Sequence, residues 1–312
     1  MNISRVACIG AGLIGQGWAT VFSIRCSSVM LQDTSESLLQ EGLNRVRKHL
    51  SFLAAHDLLD RGEADRAFER IHTTTAIEEA VSDAAYVQES VPDNYEIKKI
   101  VFADMDRFAP ADAVLASSAS GLLMTEIQKA VSRPERCVLV HPMLPVHLLP
   151  CVEIAGGKKT SPETVALAKR FMEYLGKSPV VLNVEVPGYI VNRLQAALLR
   201  ESLDLVEKGV ASAEDVDKAF RTGIGLRDPI LGPFLRIHLA GNGVENFFRT
   251  LGDSYRVRWE SMVNWTAIPS STAASACKAV RQMRVIRDKT IEEIASWRDE
   301  MLVKILKAVG EE

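Results

Sequence analysis

Short apolar runs alternate with amphipathic stretches along the chain as far as Val186, and beyond Tyr189 the short runs stop. The runs have strand length: Arg5–Ile9, Val29–Gln32, Ile71–Thr75, Tyr86–Glu89, Val114–Ser117, Cys137–His141, Cys151–Ala155 and Pro179–Asn183. Between them apolar residues recur three or four apart, which predicts helices from Gln16, over Ser35–Asp57, Ile77–Val81, Glu96–Phe108 and Ser161–Leu175. A βαβ series of this kind predicts a doubly wound, mainly parallel sheet with helices on both faces, and ligands gather at the carboxyl ends of its strands. After Val186-Pro-Gly188 the pattern turns wholly helical, over Ile190–Lys208, Ala213–Phe220 and Lys289–Val309. Residues 1–186 therefore read as an α/β domain and 187–312 as an all-α domain.

Strand ends are where chemistry is expected, and the first is the most informative. Arg5–Ile9 breaks into Gly10-Ala-Gly12-Leu13-Ile14-Gly15 before a helix begins. Gly10 permits a tight turn, Gly12 lets a pyrophosphate approach the backbone, and Gly15 lets helix and strand pack closely, with the helix N-terminus facing the anion. Such a turn alone is a weak signal. Here the second strand ends in Asp33, eighteen residues after Gly15, where a carboxylate accepts both ribose hydroxyls and repels a 2′-phosphate. Gly10, Gly12, Leu13, Ile14, Gly15 and Asp33 are thus candidate cofactor-binding residues, and NAD is favoured over NADP.

Three further strand ends carry polar groups. Ser117-Ser-Ala-Ser120 follows one, His141 closes the next, and Glu153 sits inside the otherwise apolar Cys151–Ala155. Loop serines and a lone histidine beside proline usually serve structure. A carboxylate in a buried strand needs a partner, and a neighbouring imidazole is an obvious one. His147 lies in a loop and ranks below His141. The basic Arg45, Arg47 and Lys48 read as a solvated helix face, and the aromatic Phe247, Phe248, Tyr255, Trp259 and Trp265 as helix packing rather than a cage for a cation.

Bulk composition removes several classes of function. A net charge near −3 offers no electrostatic case for nucleic acid or an anionic membrane. The five cysteines are scattered and form no C-x-x-C pair, which suits a reducing compartment. No leader is recognised before the first strand and no apolar run is long enough to span a bilayer, so a cytoplasmic protein is expected, with no metal site.

Taken together, Gly10-x-Gly12-x-x-Gly15, Gln88-Glu89-Ser90-Val91-Pro92, Ser117–Leu123, His141-Pro142, Leu149–Glu153 and Pro187–Leu194 are specific. So are Gly225-Leu-Arg227, Gly232-Pro233, His238-Leu239 and Trp297–Glu300. On these the chain resembles, over essentially its whole length, the L-3-hydroxyacyl-CoA dehydrogenase superfamily, and within it the lambda-crystallin (L-gulonate 3-dehydrogenase) and L-carnitine dehydrogenase branches. The resemblance implies a Rossmann-type first domain. It implies His141 as the general base for a 3-hydroxyl, Glu153 as the group that orients it, and Ser120 and Asn192 as hydrogen-bond partners of the reacting oxygen. It also implies Asp93, Lys98 and Ser118 near the cofactor, Arg227 where a free carboxylate would be clamped, and a homodimer.

One departure bears on substrate. The branches usually read His-Pro-x-Asn-Pro, whereas this chain has Leu144 in place of the amide. A second, the missing glycine in Arg25–Ser28, concerns local geometry. The expected activity is NAD-dependent oxidation of a small L-3-hydroxy acid resembling L-gulonate or L-carnitine. The alternatives are a 3-hydroxyacyl-CoA substrate such as 3-hydroxybutyryl-CoA, with Arg45, Arg47 and Lys48 as the landing for CoA phosphates, and a non-catalytic crystallin-like protein that only binds NAD.

Overall fold

The computed structural model describes residues 3–310. Its first half runs β1 (Arg5–Ile9), α1 (Leu13–Arg25), β2 (Ser28–Gln32), α2 (Glu36–Ala55), α3 (Arg61–Glu69), β3 (Ile71–Thr74), α4 (Ile77–Val81) and β4 (Tyr86–Glu89). Then follow α5 (Tyr95–Phe108), β5 (Val114–Ser117), α6 (Met124–Ile127), β6 (Cys137–Pro142), β7 (Cys151–Gly156), α7 (Pro162–Tyr174) and β8 (Ser178–Val181). Helix starts are set by local chemistry. Asn94 Oδ1 accepts the backbone N–H of Glu96 and Ile97 at 2.8 and 3.1 Å, and Ser161 caps α7 with Pro162 in its first turn. Helix α3, capped by Asp60, has no counterpart in the expectations above: its apolar residues are only Ala64, Ala67 and Phe68, too few for a clear helical period.

The eight strands form one sheet in the order β3-β2-β1-β4-β5-β6-β7-β8. Every neighbouring pair is parallel except β6 and β7, which are antiparallel. No helix lies between those two strands, so the chain returns directly through residues 143–150. Strands β4, β5 and β6 are buried along their length, as central strands covered on both faces must be. Alternate residues feed two cores. Val6, Cys8, Tyr86 and Val140 join Trp18, Phe22 and Phe171 on one face, and Ala7, Ile9, Val87 and Leu139 join Phe102, Met105 and Tyr189 on the other. Strand order reverses between β1 and β4, which opens a crevice at their carboxyl ends.

The chain divides into two compact units, Met1–Asn192 and Arg193–Glu312. The second is all-helical, made of most of α8 (Val191–Glu207), then α9 (Ala213–Ala219), α10 (Pro233–Ala240), α11 (Val244–Ser261), α12 (Ser270–Gln282), α13 (Arg284–Asp288) and α14 (Ile291–Val309). A π-helical turn, Phe220–Ile224, follows α9. A capping box formed by Thr290 and Glu293 starts α14. Few of this unit's apolar side chains are buried: Phe247, Met283 and Val303 are, while Phe234, Leu239, Trp259 and Ile291 are exposed.

Candidate active site

The glycine turn is built as a cradle. Gly10 has φ +95°, and a Cβ on it would lie 2.9 Å from Ser90 O; one on Gly15 would lie 1.7 Å from Gly10 O, so only glycine fits at either position. A Cβ on Gly12 would meet nothing within 4 Å, which leaves its backbone open to an approaching group at the start of α1. Asp33 stands beside the turn. Its Oδ2 accepts Ala11 N–H at 2.7 Å and its Oδ1 accepts Thr34 N–H at 2.6 Å, and the half-buried carboxylate keeps lone pairs for outside hydroxyls. Leu13 is exposed at the first turn of α1 and Ile14 is half-buried. An anion at the helix start and a ribose at Asp33 both fit these residues.

Next along the crevice, the end of β4 holds a buried ion network. Glu89 is fully buried, with Oε1 accepting Lys98 Nζ at 2.7 Å and Val91 N–H at 2.6 Å, and Oε2 accepting the Ser117 hydroxyl at 2.6 Å. Burial pushes the Glu89 carboxyl above the usual range, although Lys98, Ser117 and the Val91 amide all favour its charged form. Lys98, also buried, lies 3.3 Å from Asp93 Oδ1. Asp93 Oδ2 in turn accepts both the hydroxyl and the backbone N–H of Ser120, at 2.7 and 2.8 Å. Burial acts to raise the Asp93 carboxyl, but the Ser120 bonds and Lys98 outweigh it and hold the group below the usual range. Ser118 is buried, and its hydroxyl is engaged by Trp18, Gln88 and Ser90.

The antiparallel register sets His141 directly opposite Glu153. Directly paired residues point to one face, and His141 Nδ1 lies 2.9 Å from Glu153 Oε2. A carboxylate only accepts, so Nδ1 carries a proton, and in the neutral ring Nε2 then holds the lone pair. Glu153 Oε1 accepts the backbone N–H of Ile190 and Val191 at 2.7 and 2.9 Å. Burial alone would raise the Glu153 carboxyl; the His141 bond and the two amides together hold it below the usual carboxylate range. Asn192, just beyond those amides, donates Nδ2–H to Ser120 O at 2.7 Å. These contacts tie Asn192, Ser120, Asp93 and Lys98 into one set and His141 and Glu153 into another.

Other singled-out residues lie elsewhere. His147 stacks on His49 with ring centroids 3.9 Å apart. Of the basic cluster, Arg45 pairs with Glu41 and Arg47 lies over Phe68. In the second unit, exposed Arg227 donates Nε–H to Gly223 O at 3.2 Å, and no acceptor among the described residues takes its terminal nitrogens. Phe247 of the aromatic segment is buried, with the end of α10 at Gly241 close against it. Phe247, Phe248, Tyr255 and Trp259 touch along α11 itself, with Phe248 and Trp259 exposed, and Trp265 has no ring partner among the described residues. No group of His, Cys, Asp or Glu among the described residues is arranged to hold a metal, and no helix is long and apolar enough to cross a membrane. All five cysteines are unpaired, and burial pushes the Cys26 and Cys137 thiols up to about 12.

Sequence reading missed Glu89 as part of this site. The signal was available, since Glu89 is a carboxylate in a buried strand just as Glu153 is, with a lysine nine residues on. Ser117, Trp18 and Gln88 carried no such signal, because an apolar neighbourhood says nothing about hydrogen-bond partners distant in sequence.

The family model described as 3-hydroxyacyl-CoA dehydrogenase, NAD binding domain, matches residues 5–186, and that for the C-terminal domain matches residues 188–278. L-carnitine dehydrogenase of Oceanobacillus iheyensis is 34% identical over 310 residues, covering 98% of each chain. That of Streptomyces coelicolor is 37% identical, covering 99% of this chain and 96% of its own. Among solved structures, the NAD-dependent 5-formyl-3-hydroxy-2-methylpyridine 4-carboxylic acid 5-dehydrogenase has a TM-score of 0.84 at 29% identity over 99% of both chains. The (S)-3-hydroxybutyryl-CoA dehydrogenase of Ralstonia eutropha has a TM-score of 0.68 at 25% identity, covering 82% of this chain and 88% of its own. With both halves matched and full-length relatives on either side, the chain belongs to the 3-hydroxyacyl-CoA dehydrogenase family and is an NAD-dependent oxidoreductase of 3-hydroxy substrates.

Proposed function

We propose that this protein oxidises the 3-hydroxyl of a small free L-3-hydroxy acid to a ketone, with L-carnitine the first substrate to test and L-gulonate the second. The observation that carries the chemistry is the buried His141–Glu153 pair, whose imidazole presents a basic Nε2. NAD, when bound, supplies the hydride acceptor. His141 takes the hydroxyl proton, and Glu153, ionised by its hydrogen bonds, supports the resulting imidazolium. Asn192 keeps one amide hydrogen for the reacting oxygen, whereas Ser120 gives its hydrogen to Asp93 and would serve that oxygen by turning the hydrogen from Asp93 to the substrate, whose own hydroxyl hydrogen goes to His141.

The cofactor would be held by Gly10, Gly12, Gly15, Leu13 and Ile14 at the turn and by Asp33 at the adenosine ribose. Asp93 and Lys98 support the far end of that crevice. Arg227 would clamp the substrate carboxylate through its unengaged terminal nitrogens. A free acid is favoured over a CoA thioester because Arg45 and Arg47 have partners of their own, and because the two relatives compared by sequence, at 34% and 37% identity, are L-carnitine dehydrogenases whereas the CoA-thioester enzyme compared is 25% identical. The exposed apolar residues of the second unit support a homodimer, which sedimentation equilibrium would test. Unpaired cysteines support a cytoplasmic protein.

The test is initial-rate NADH formation with NAD and, separately, L-carnitine, L-gulonate and L-3-hydroxybutyryl-CoA. Turnover of a free acid supports the proposal, and turnover of only the thioester overturns it. Asp33→Ala is expected to weaken NAD and narrow its advantage over NADP.

A further inference from the structure

Ser90 follows β4 where the strand order reverses, packed against the glycine turn: a Cβ on Gly15 would lie 3.6 Å from Ser90 Cβ. Its hydroxyl oxygen is 2.9 Å from that of buried Ser118. Which of the two serines donates is decided by what else Ser118 touches. Trp18 Nε1 lies 3.1 Å from Ser118 Oγ and can only donate. Gln88 Nε2 lies 2.7 Å away, and the same nitrogen is 3.2 Å from Val140 O, an acceptor, while Gln88 Oε1 takes the Tyr86 hydroxyl at 2.9 Å. The Val140 carbonyl therefore fixes the orientation of the amide, and Gln88 also donates to Ser118. A hydroxyl has two lone pairs and one hydrogen. Both lone pairs of Ser118 are occupied, so its hydrogen goes to Ser90.

The chain of bonds is thereby polarised from the core outward. Ser90 accepts from Ser118, and no acceptor among the described residues takes the hydrogen of half-buried Ser90. A group that lies along the carboxyl ends of the strands meets Asp33 after β2, the glycine turn after β1, Ser90 after β4, and His141 on β6, in the order of the sheet. With an adenosine ribose at Asp33 and a pyrophosphate at the turn, the group over Ser90 lies between the pyrophosphate and the reacting ring. Resting on the dinucleotide reading above, we infer that Ser90 donates a hydrogen bond to an acceptor oxygen on the nicotinamide mononucleotide half of the cofactor, and that Trp18, Gln88 and Ser118 are positioning residues that aim it. Leu144 provides no donor of its own on the loop after His141, which makes a donor at Ser90 the more consequential.

Calorimetric titration of the unaltered protein, Ser90→Ala and Trp18→Phe with NAD, ADP-ribose and ADP tests this. Ser90→Ala is expected to raise the Kd for NAD about three- to tenfold, the value of one hydrogen bond, and to leave ADP unchanged. Trp18→Phe, which frees a lone pair on Ser118 and lets both hydroxyls turn, is expected to give a smaller loss of the same kind. Weakening of ADP-ribose alongside NAD puts the acceptor on the second ribose, and weakening of NAD alone puts it on the ring amide; either supports the inference. Equal weakening of all three ligands by Ser90→Ala, or none for NAD, overturns it, and retained ADP binding certifies the fold of each variant. Failure of the unaltered protein to bind NAD would instead overturn the dinucleotide reading, and this inference with it.

Discussion

Two glutamates, Glu89 at the end of β4 and Glu153 in β7, are each fully buried in the central sheet, yet they are satisfied in opposite ways. Glu89 meets the Lys98 ammonium together with a hydroxyl and an amide that fill its remaining positions. Glu153 meets two amides and an imidazole, a ring that can carry one proton or two. A carboxylate whose oxygens are filled by a lysine, a hydroxyl and an amide offers no face to a substrate, so it holds the strand ends and, through Lys98 and Asp93, the position of Ser120. A carboxylate against histidine lowers the cost of putting a charge on that ring. Burial is common to both, and the partner's ability to titrate is what separates a clamp from a participant.

The sharpest break in the comparison is His141→Ala, which is expected to lower turnover by about 10²–10⁴-fold in initial-rate assays while NAD affinity stays nearly intact. Glu89→Gln should act on the fold instead. Leaving Lys98 with only Asp93 for charge is expected to cost about 3 kcal/mol of unfolding free energy in urea titration, with turnover of the folded protein largely preserved. Loss of turnover without loss of stability would place Glu89 in the chemistry and end the distinction.

Glu153→Gln is expected to lower turnover less than His141→Ala, by about a hundredfold at most, since the base remains while its support is weakened. It also carries a pH signature. The Glu153 carboxyl is held below its ordinary value, so its stabilising contribution is complete above the usual carboxylate range and is lost as pH falls through the depressed value. The variant's urea midpoint should therefore vary less with pH on the acid side than that of the unaltered protein.

Lys177 sharpens the contrast with a buried charge that no carboxylate among the described residues balances. Its Nζ donates to Val146 O and, at 3.0 Å, to Leu149 O, and burial pushes the ammonium down to about 8. The cost of burying the charge is present in full below that value and is relieved as pH rises from about 8 toward the ordinary lysine range, near 10.4. Relative to Lys177→Met, the unaltered protein should gain stability across that window, measured as the pH dependence of the urea midpoint.

Much of this was legible in residue order. The alternation of strands and helices through the first half, the glycine turn and Asp33 all rest on chemistry within a short stretch of chain, where spacing and side-chain type suffice. Helix α3 escaped because its apolar residues are few and small. Glu89 escaped because its lysine and serine partners are brought to it by separate elements, one on α5 and the other on β5.

The sequence by itself determined the glycine turn and the need of a buried Glu153 for a partner, because glycine conformations and the cost of a buried charge are properties of the residues themselves. Only the tertiary structure decided which partners meet. An antiparallel return through residues 143–150 sets His141 opposite Glu153, and a slip of one residue would turn the carboxylate to the other face. The direction of the Ser118–Ser90 bond likewise depends on α1, β4, β5 and β6 converging, and no local pattern encodes the register of strands so far apart in the chain.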